Sequence, residues 1–336
     1  MRRLFLVLFS SLAAVVAAEL AVRLSAAAKL SARTLEGRIE AAGKPEPGQP
    51  LRWVQALRVR PEADLVFDLR PELEAVVEVS GSMTPLRTDR EGFRGPGYAL
   101  EKPAGTVRLA ALGDSFMMGS GLPEEDTISA RLQRRLEERY PERRTEVINA
   151  GVAGYNLGQS VATLRRKVLA YDPDLVLVGL LENDRTRVIY VTRGTYDDPL
   201  FARRSILLDA LGGREPSLRP EGTAPRDEAG LRRAMRDLVR LRAEHDLRLH
   251  AFTYYDSKVA VWMREEAARV GLPVDSTGPG VTAYMQAHGI EKRGQSELVI
   301  SPTDGHPSAL QVGLLVDQLV EQLEQRGHLR ALYGRD

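Results

Sequence analysis

Apolar and polar residues follow two rhythms along this chain. From position 107 onward, short apolar runs of strand length alternate with longer stretches in which apolar residues return every three or four positions. The runs predict strands over 107–112, 146–148, 175–180 and 247–253. The longer stretches predict helices over 127–140, 157–169, 228–244, 259–270 and 308–325. Leu157, Val161, Leu164 and Val168 share one helix face, as a helix lying on a sheet requires. Strand and helix in alternation make a βαβ series, hence an α/β domain over 106–330 with a parallel sheet.

The N-terminus follows neither rhythm. Arg2 and Arg3 precede an unbroken run of apolar or small residues from Leu4 to Ala18, the plan of an export signal. Val16 and Ala18 suit the small-residue positions before cleavage at Glu19. Extension to Leu24 instead approaches the ~20 residues of a bilayer span, at the cost of including Glu19 and Arg23. A signal peptide and a retained membrane anchor over 1–24 therefore both fit, and each places the rest of the chain in an extracytoplasmic, periplasmic or cell-surface location. A buried N-terminal helix fits less well, because it would begin with two arginines and lack a polar face.

Residues 25–50 read as a helical stalk and linker, broken by the Gly/Pro stretch from Gly43 to Gly48. Residues 51–105 contain strand-like runs at 65–69 and 75–80 and the turn-rich Asp89-Arg-Glu-Gly-Phe-Arg-Gly-Pro-Gly, which predict a small β-containing lead-in. Between 185 and 226 the periodicity lapses, which predicts an irregular insertion beside the site.

Composition removes several alternatives. Forty-three per cent of the 336 residues are hydrophobic, enough for a large core, and there is no cysteine to serve as staple, nucleophile or metal ligand. With 47 basic against 46 acidic side chains the net charge is +1, which gives no field suited to nucleic acid. No metal-ligand spacing occurs, and no cofactor is expected.

Four segments carry candidate chemistry. Gly113-Asp-Ser-Phe follows the first predicted strand, where the carboxyl ends of parallel strands bind ligands, so Ser115 stands where a nucleophile is useful; an ordinary Gly-Asp-Ser turn is the plain alternative. Asn149-Ala-Gly-Val-Ala-Gly-Tyr-Asn follows the second strand, and its glycines let backbone N–H groups approach a ligand; the alternative is a flexible loop. Glu182-Asn-Asp follows the third strand and offers an amide donor or, more plainly, a helix cap. In Asp304-Gly-His306-Pro a carboxylate two residues from an imidazole can hold Nδ1–H and leave Nε2 to take a serine proton. Of the five histidines, only His306 has an adjacent acid in a predicted loop.

Together these four blocks resemble those of the SGNH, or GDSL, hydrolase family: the Ser of Gly-Asp-Ser, the block Gly, the Asn of Gly-x-Asn-Asp and the His of Asp-x-x-His. The resemblance spans about 107–325. The anchor and the Asp89-to-Gly95 turn also resemble a membrane-anchored or exported bacterial branch. It implies a flavodoxin-like three-layer α/β/α sandwich with a central parallel sheet. It also implies a serine esterase with Ser115 as nucleophile, His306 as base and Asp304 as the acid that orients it. The oxyanion donors would be the N–H groups of Ser115 and Gly154 and the side chain of Asn183. The implied substrate is an acylated small molecule or glycan. An O-acyltransferase uses the same residues, and a catalytically silent carbohydrate-binding protein could use the same scaffold. Two departures stand out: Leu181 replaces the third block's Gly, and one residue, not two, separates Asp304 from His306.

Overall fold

The computed structural model describes residues 2–46, 48–79, 81–185, 205–212 and 227–334. The predicted insertion at 185–226 lies outside the described residues except for Arg185 and 205–212. Contacts gather the chain into two compact units, one from residues 1–44 and 190–223, the other from 45–189 and 224–336.

The larger unit is built on five parallel strands. They are β6 (Thr106–Leu112), β7 (Arg144–Asn149), β8 (Leu175–Leu180), β9 (Leu249–Thr253) and β10 (Val274–Ser276), in the spatial order β7-β6-β8-β9-β10. Counting only these strands the order is 2-1-3-4-5, a doubly wound sheet whose order reverses at β6. Every residue of β6 and β8 is buried, as expected for strands covered on both faces.

Alternation along β6 divides the core. Val107, Leu109 and Ala111 point to one face, where α4 (Ile128–Arg139), α10 (Ala309–Gln325) and α11 (His328–Tyr333) pack through Leu132, Leu136, Leu315 and Leu319. Ala110 and Leu112 point to the other, against α5 (Leu157–Arg166), α7 (Glu228–Glu244) and α8 (Lys258–Arg269) through Val161, Leu164, Met235, Leu238 and Met263. The result is a three-layer α/β/α sandwich. α9 (Gly278–Ala287) and β10 carry too weak a pattern to be read from sequence: the helix opens on Gly-Pro-Gly, and the strand is three residues long.

Arg108 and Glu146, partners in the β6–β7 register, form a buried ion pair with Nε to Oε2 at 2.8 Å, and Arg108 also donates to the carbonyl of Tyr171. The pair locks the amino ends of the first two sheet strands.

Residues 51–87 form a three-stranded sheet of β1 (Leu51–Arg52), β4 (Glu74–Val79) and β5 (Ser82–Arg87), and a ribbon of β2 (Leu57–Val59) and β3 (Phe67–Leu69). They are tied to the main sheet rather than hung from it. Tyr155 donates its hydroxyl to the carbonyl of Phe67 at 2.7 Å, and the N–H of Gly121 donates to Thr84 Oγ1 at 2.8 Å.

In the smaller unit, α1 (Arg2–Arg33) is followed by α2 (Leu35–Ala42), whose N-cap Thr34 accepts from the N–H of Gly37. Residues Phe9–Lys29 are long and apolar enough to cross a membrane, with 6% of that window buried. The carboxylate of Glu19 accepts from Ser205 Oγ and from the N–H groups of Ile206 and Leu207, capping α6 (Ile206–Leu211).

Candidate active site

The candidate residues gather at the carboxyl ends of β6, β7 and β8. Leu112 of β6 pairs with Val178 of β8, and Ala111 with Asn149 of β7. Ser115, the 149–156 segment and Asn183 therefore leave neighbouring strand ends.

Ser115 is the first residue of a one-turn helix, α3 (Ser115–Met118), capped by Asp114, whose Oδ1 accepts from the N–H of Phe116 at 3.0 Å. The helix ends on Gly119 in the left-handed region. Ser115 is 9% exposed. The segment after β7 is laid against this turn: Val152 N–H donates to the carbonyl of Gly113 at 3.1 Å. A Cβ on Gly151 would stand 2.5 Å from Met118 N, so only glycine lets the two backbones approach this far. Gly154 follows at φ 87°, in a turn closed by Tyr155 N–H on the carbonyl of Val152. Asn183 lies in the single 3-10 turn Glu182–Arg185 and is exposed.

Asp304 and His306 sit on a short hairpin, β11 (Val299–Ser301) with β12 (Asp304–Pro307), where the sequence predicted a loop. Residues two apart on a strand point to the same side. That is how a spacing of one intervening residue suffices: Asp304 Oδ1 lies 2.5 Å from His306 Nδ1 and also accepts the backbone N–H of His306 at 3.0 Å. Its other oxygen, Oδ2, accepts the hydroxyl of Ser82 from β5. Burial pushes the Asp304 carboxyl up, but the hydrogen bonds from Ser82 and from the backbone and ring of His306 outweigh it, and the group stays below its ordinary value.

The imidazole rests against the nucleophile's own turn. The rings of Phe116 and His306 are 5.5 Å apart, centre to centre. No hydrogen bond joins Ser115 Oγ to His306 in this structure; such bonds commonly tighten only when substrate is bound.

Three features had no clear signal in the sequence. Arg94, 4% exposed and inside the turn-rich 89–97 segment, spends its guanidinium on carbonyls. Nη1 donates to Met118 and Gly119, and Nη2 to Pro85 and Leu122, at 2.7 to 2.9 Å. It thereby clamps the carboxyl end of α3, and burial draws its pKa down to about 10. Beneath the site Asp114 and Asp184 are both buried, and Asp184 Oδ2 accepts from Leu181 N–H at 2.7 Å. Burial raises Asp114 to about 7 and, with the Asp114 charge, raises Asp184 well above the carboxylate range. Arg293 lies over the rings of Phe116 and Tyr255.

The other histidines have different settings. His250 is buried, 3.3 Å from Gln322 Oε1, and burial lowers it to about 4; His288 Nδ1 faces the carbonyl of Tyr284. Among the described residues no cluster of His, Asp and Glu could hold a metal ion.

No protein-family model matches this chain. No curated protein matches it either. Among solved structures it is similar to an α/β hydrolase enzyme from the metagenome of Lake Arreo, Spain, at 18% identity over 65% of this chain and 95% of that one (TM-score 0.43). It is similar to a two-domain esterase active on acetylated mannans at 19% identity over 66% of this chain and 50% of that one (TM-score 0.46). An acetyl xylan esterase gives 13% identity over 65% of this chain and all of the other (TM-score 0.45). Fold and site define an α/β/α protein with a serine in the first strand-to-helix turn and an Asp–His pair beside it.

Proposed function

We propose that the protein is a serine esterase held at the outer side of a membrane. Ser115 Oγ attacks the ester carbonyl while His306 Nε2 takes its proton. The imidazolium returns that proton to the departing alcohol, and water, activated by the same Nε2, hydrolyses the acyl-serine. Asp304 holds the tautomer that leaves Nε2 free. The N–H groups of Ser115 and Gly154 and the amide of Asn183 face the carbonyl oxygen as it becomes an oxyanion. The observation that carries this reading is the 2.5 Å contact of Asp304 with His306, on a hairpin whose imidazole packs against Phe116 next to Ser115.

The membrane tether rests on α1. Its apolar side chains Leu6, Phe9, Leu12, Val16 and Leu20 are each more than half exposed, as suits a helix surrounded by lipid. Glu19, at the predicted cleavage point, caps α6 and ties it to α1.

Labelling with a fluorophosphonate tests the reading. The wild type should label on one serine, and Ser115→Ala should not label. Labelling that survives this substitution would falsify the assignment of the nucleophile.

A further inference from the structure

We infer that Arg293 recognises a carboxylate on the substrate, so that the preferred ester carries an anionic group close to its scissile bond. This rests on the esterase reading above.

Arg293 opens the 3-10 turn Arg293–Gln295 ahead of the hairpin that bears His306. Its guanidinium carbon is 5.9 Å from the centre of the Phe116 ring and 5.8 Å from that of Tyr255. Phe116 in turn touches His306. The cation is therefore one aromatic ring away from the base, and that ring belongs to the residue next to the nucleophile in the chain.

Its donors are only partly engaged. Nε donates to Gln311 Oε1 at 2.7 Å and Nη2 to the carbonyl of Gly305 at 2.9 Å. Both acceptors are neutral. Among the described residues Nη1 has no partner, and no carboxylate pairs with the guanidinium. Gln311 is fully buried, and the bond from Arg293 Nε fixes its oxygen toward the arginine. That leaves its buried Nε2 without an acceptor among the described residues. Partial burial lowers the pKa of Arg293, opposed only by Tyr255.

Arg94 shows what a purely structural arginine looks like here. It also lacks a carboxylate, but it covers four carbonyls. Arg293 covers one carbonyl and one amide and keeps part of its fork open one aromatic ring away from His306. Desolvating a guanidinium without a counter-ion is unfavourable, and a planar carboxylate is the partner its geometry fits.

The carboxylate can belong to the acyl group, as in a hemi-ester of a diacid, or to the alcohol, as in an acylated hydroxy acid or uronate. Two matched pairs of esters separate them. The monoester of 4-nitrophenol with glutarate is set against 4-nitrophenyl valerate for the acyl side, and 4-acetoxybenzoate against 4-acetoxybenzamide for the alcohol side.

In one pair kcat/KM should favour the charged member by about tenfold or more, mostly through KM. That preference should fall at least about fivefold in Arg293→Gln and be partly kept in Arg293→Lys, the reading being the ratio within a pair. Equal rates within both pairs for the wild type, or an equal loss on charged and neutral esters in Arg293→Gln, overturns the inference. The second result would leave Arg293 as a brace for Gly305.

If no ester is cleaved and Ser115 takes no fluorophosphonate, the esterase reading is what has failed. The anion site is then judged by thermal shift with glutarate and benzoate. A rise in Tm with either anion in the wild type that is absent in Arg293→Gln supports the site, and no rise in either protein removes it.

Discussion

Ser82 donates its hydroxyl hydrogen to Oδ2 of Asp304 while Oδ1 of the same carboxylate holds Nδ1 of His306. A residue of the lead-in sheet thus supports the acid of the hairpin, and 51–105 belongs to the site's supporting structure. In Ser82→Ala the carboxylate loses one of the bonds that hold its pKa down. A bond to a charged group is worth ~1.5 kcal/mol, so kcat should fall roughly tenfold. With Asp304 moved up, the acid limb of the pH–rate profile should shift to higher pH. A profile that coincides with the wild type would remove Ser82 from this role.

Ser115 and His306 come from opposite ends of the domain, and only a shared reaction would couple them. Each alanine substitution should abolish most ester hydrolysis, and the double variant should lose scarcely more than either single one. Asn183→Ala should lower kcat by ~10² to 10³ with little change in Tm, as loss of one oxyanion donor does. Additive losses for Ser115 and His306, or undiminished turnover without Asn183, would show that these residues act elsewhere.

Arg94→Met should be more damaging than its distance in sequence from Ser115 suggests. Four carbonyls lose a donor; the two at the end of the turn that carries the nucleophile, Met118 and Gly119, keep only Asn149 Nδ2 and the N–H of Leu122. Each buried unsatisfied group costs ~1 to 3 kcal/mol, so both Tm and kcat should drop. Arg94→Lys, with three donors and no fork, should recover only part of the loss. Wild-type stability in Arg94→Met would mean that water serves the carbonyls as well as the guanidinium does.

The sandwich was legible because β6, β8 and the helices over them are long and periodic, and Leu157, Val161 and Leu164 pack on the sheet face that their spacing predicts. The site's support was not legible. Ser82 and Asp304 are far apart in sequence and share no pattern, and Arg94 reads as one more charge in a turn. The one-residue spacing of Asp304 and His306 looks too short only if the segment is taken for a loop. On a strand it brings both side chains to one side.

Glu19 offers a decision between anchor and signal. It caps α6 with Ser205, Ile206 and Leu207, so a retained α1 predicts a full-length membrane-bound product. Intact-mass measurement of the protein extracted from membranes should include residues 1–18. Loss of that segment would show the signal to be cleaved, with Glu19 as the new N-terminal residue.

The buried pair Asp114 and Asp184 should make stability fall with rising pH over a defined window. Asp114 is raised to about 7 in the folded chain, chiefly by burial, against an ordinary value of 3.8, and Asp184 is raised too, by burial and by the charge of Asp114. Below about pH 4 both folded and unfolded chains carry these protons, and folding is not penalised. Between about 4 and 7 the unfolded chain releases them while the folded chain keeps them, so the unfolded state gains as the pH rises. Near pH 7 Asp114 ionises in the folded state as well, and its contribution levels off. Asp114→Asn keeps an acceptor for the N–H of Phe116 and removes both the titration and the charge that acts on Asp184. Each pH unit between the folded and unfolded pKa values is worth ~1.4 kcal/mol. Denaturant titrations should therefore show the wild type losing a few kcal/mol relative to Asp114→Asn from about pH 4 to pH 7. Parallel stability curves for the two proteins across that range would mean that Asp114 is ionised in the folded chain at pH 4 and that the pair does not store a proton.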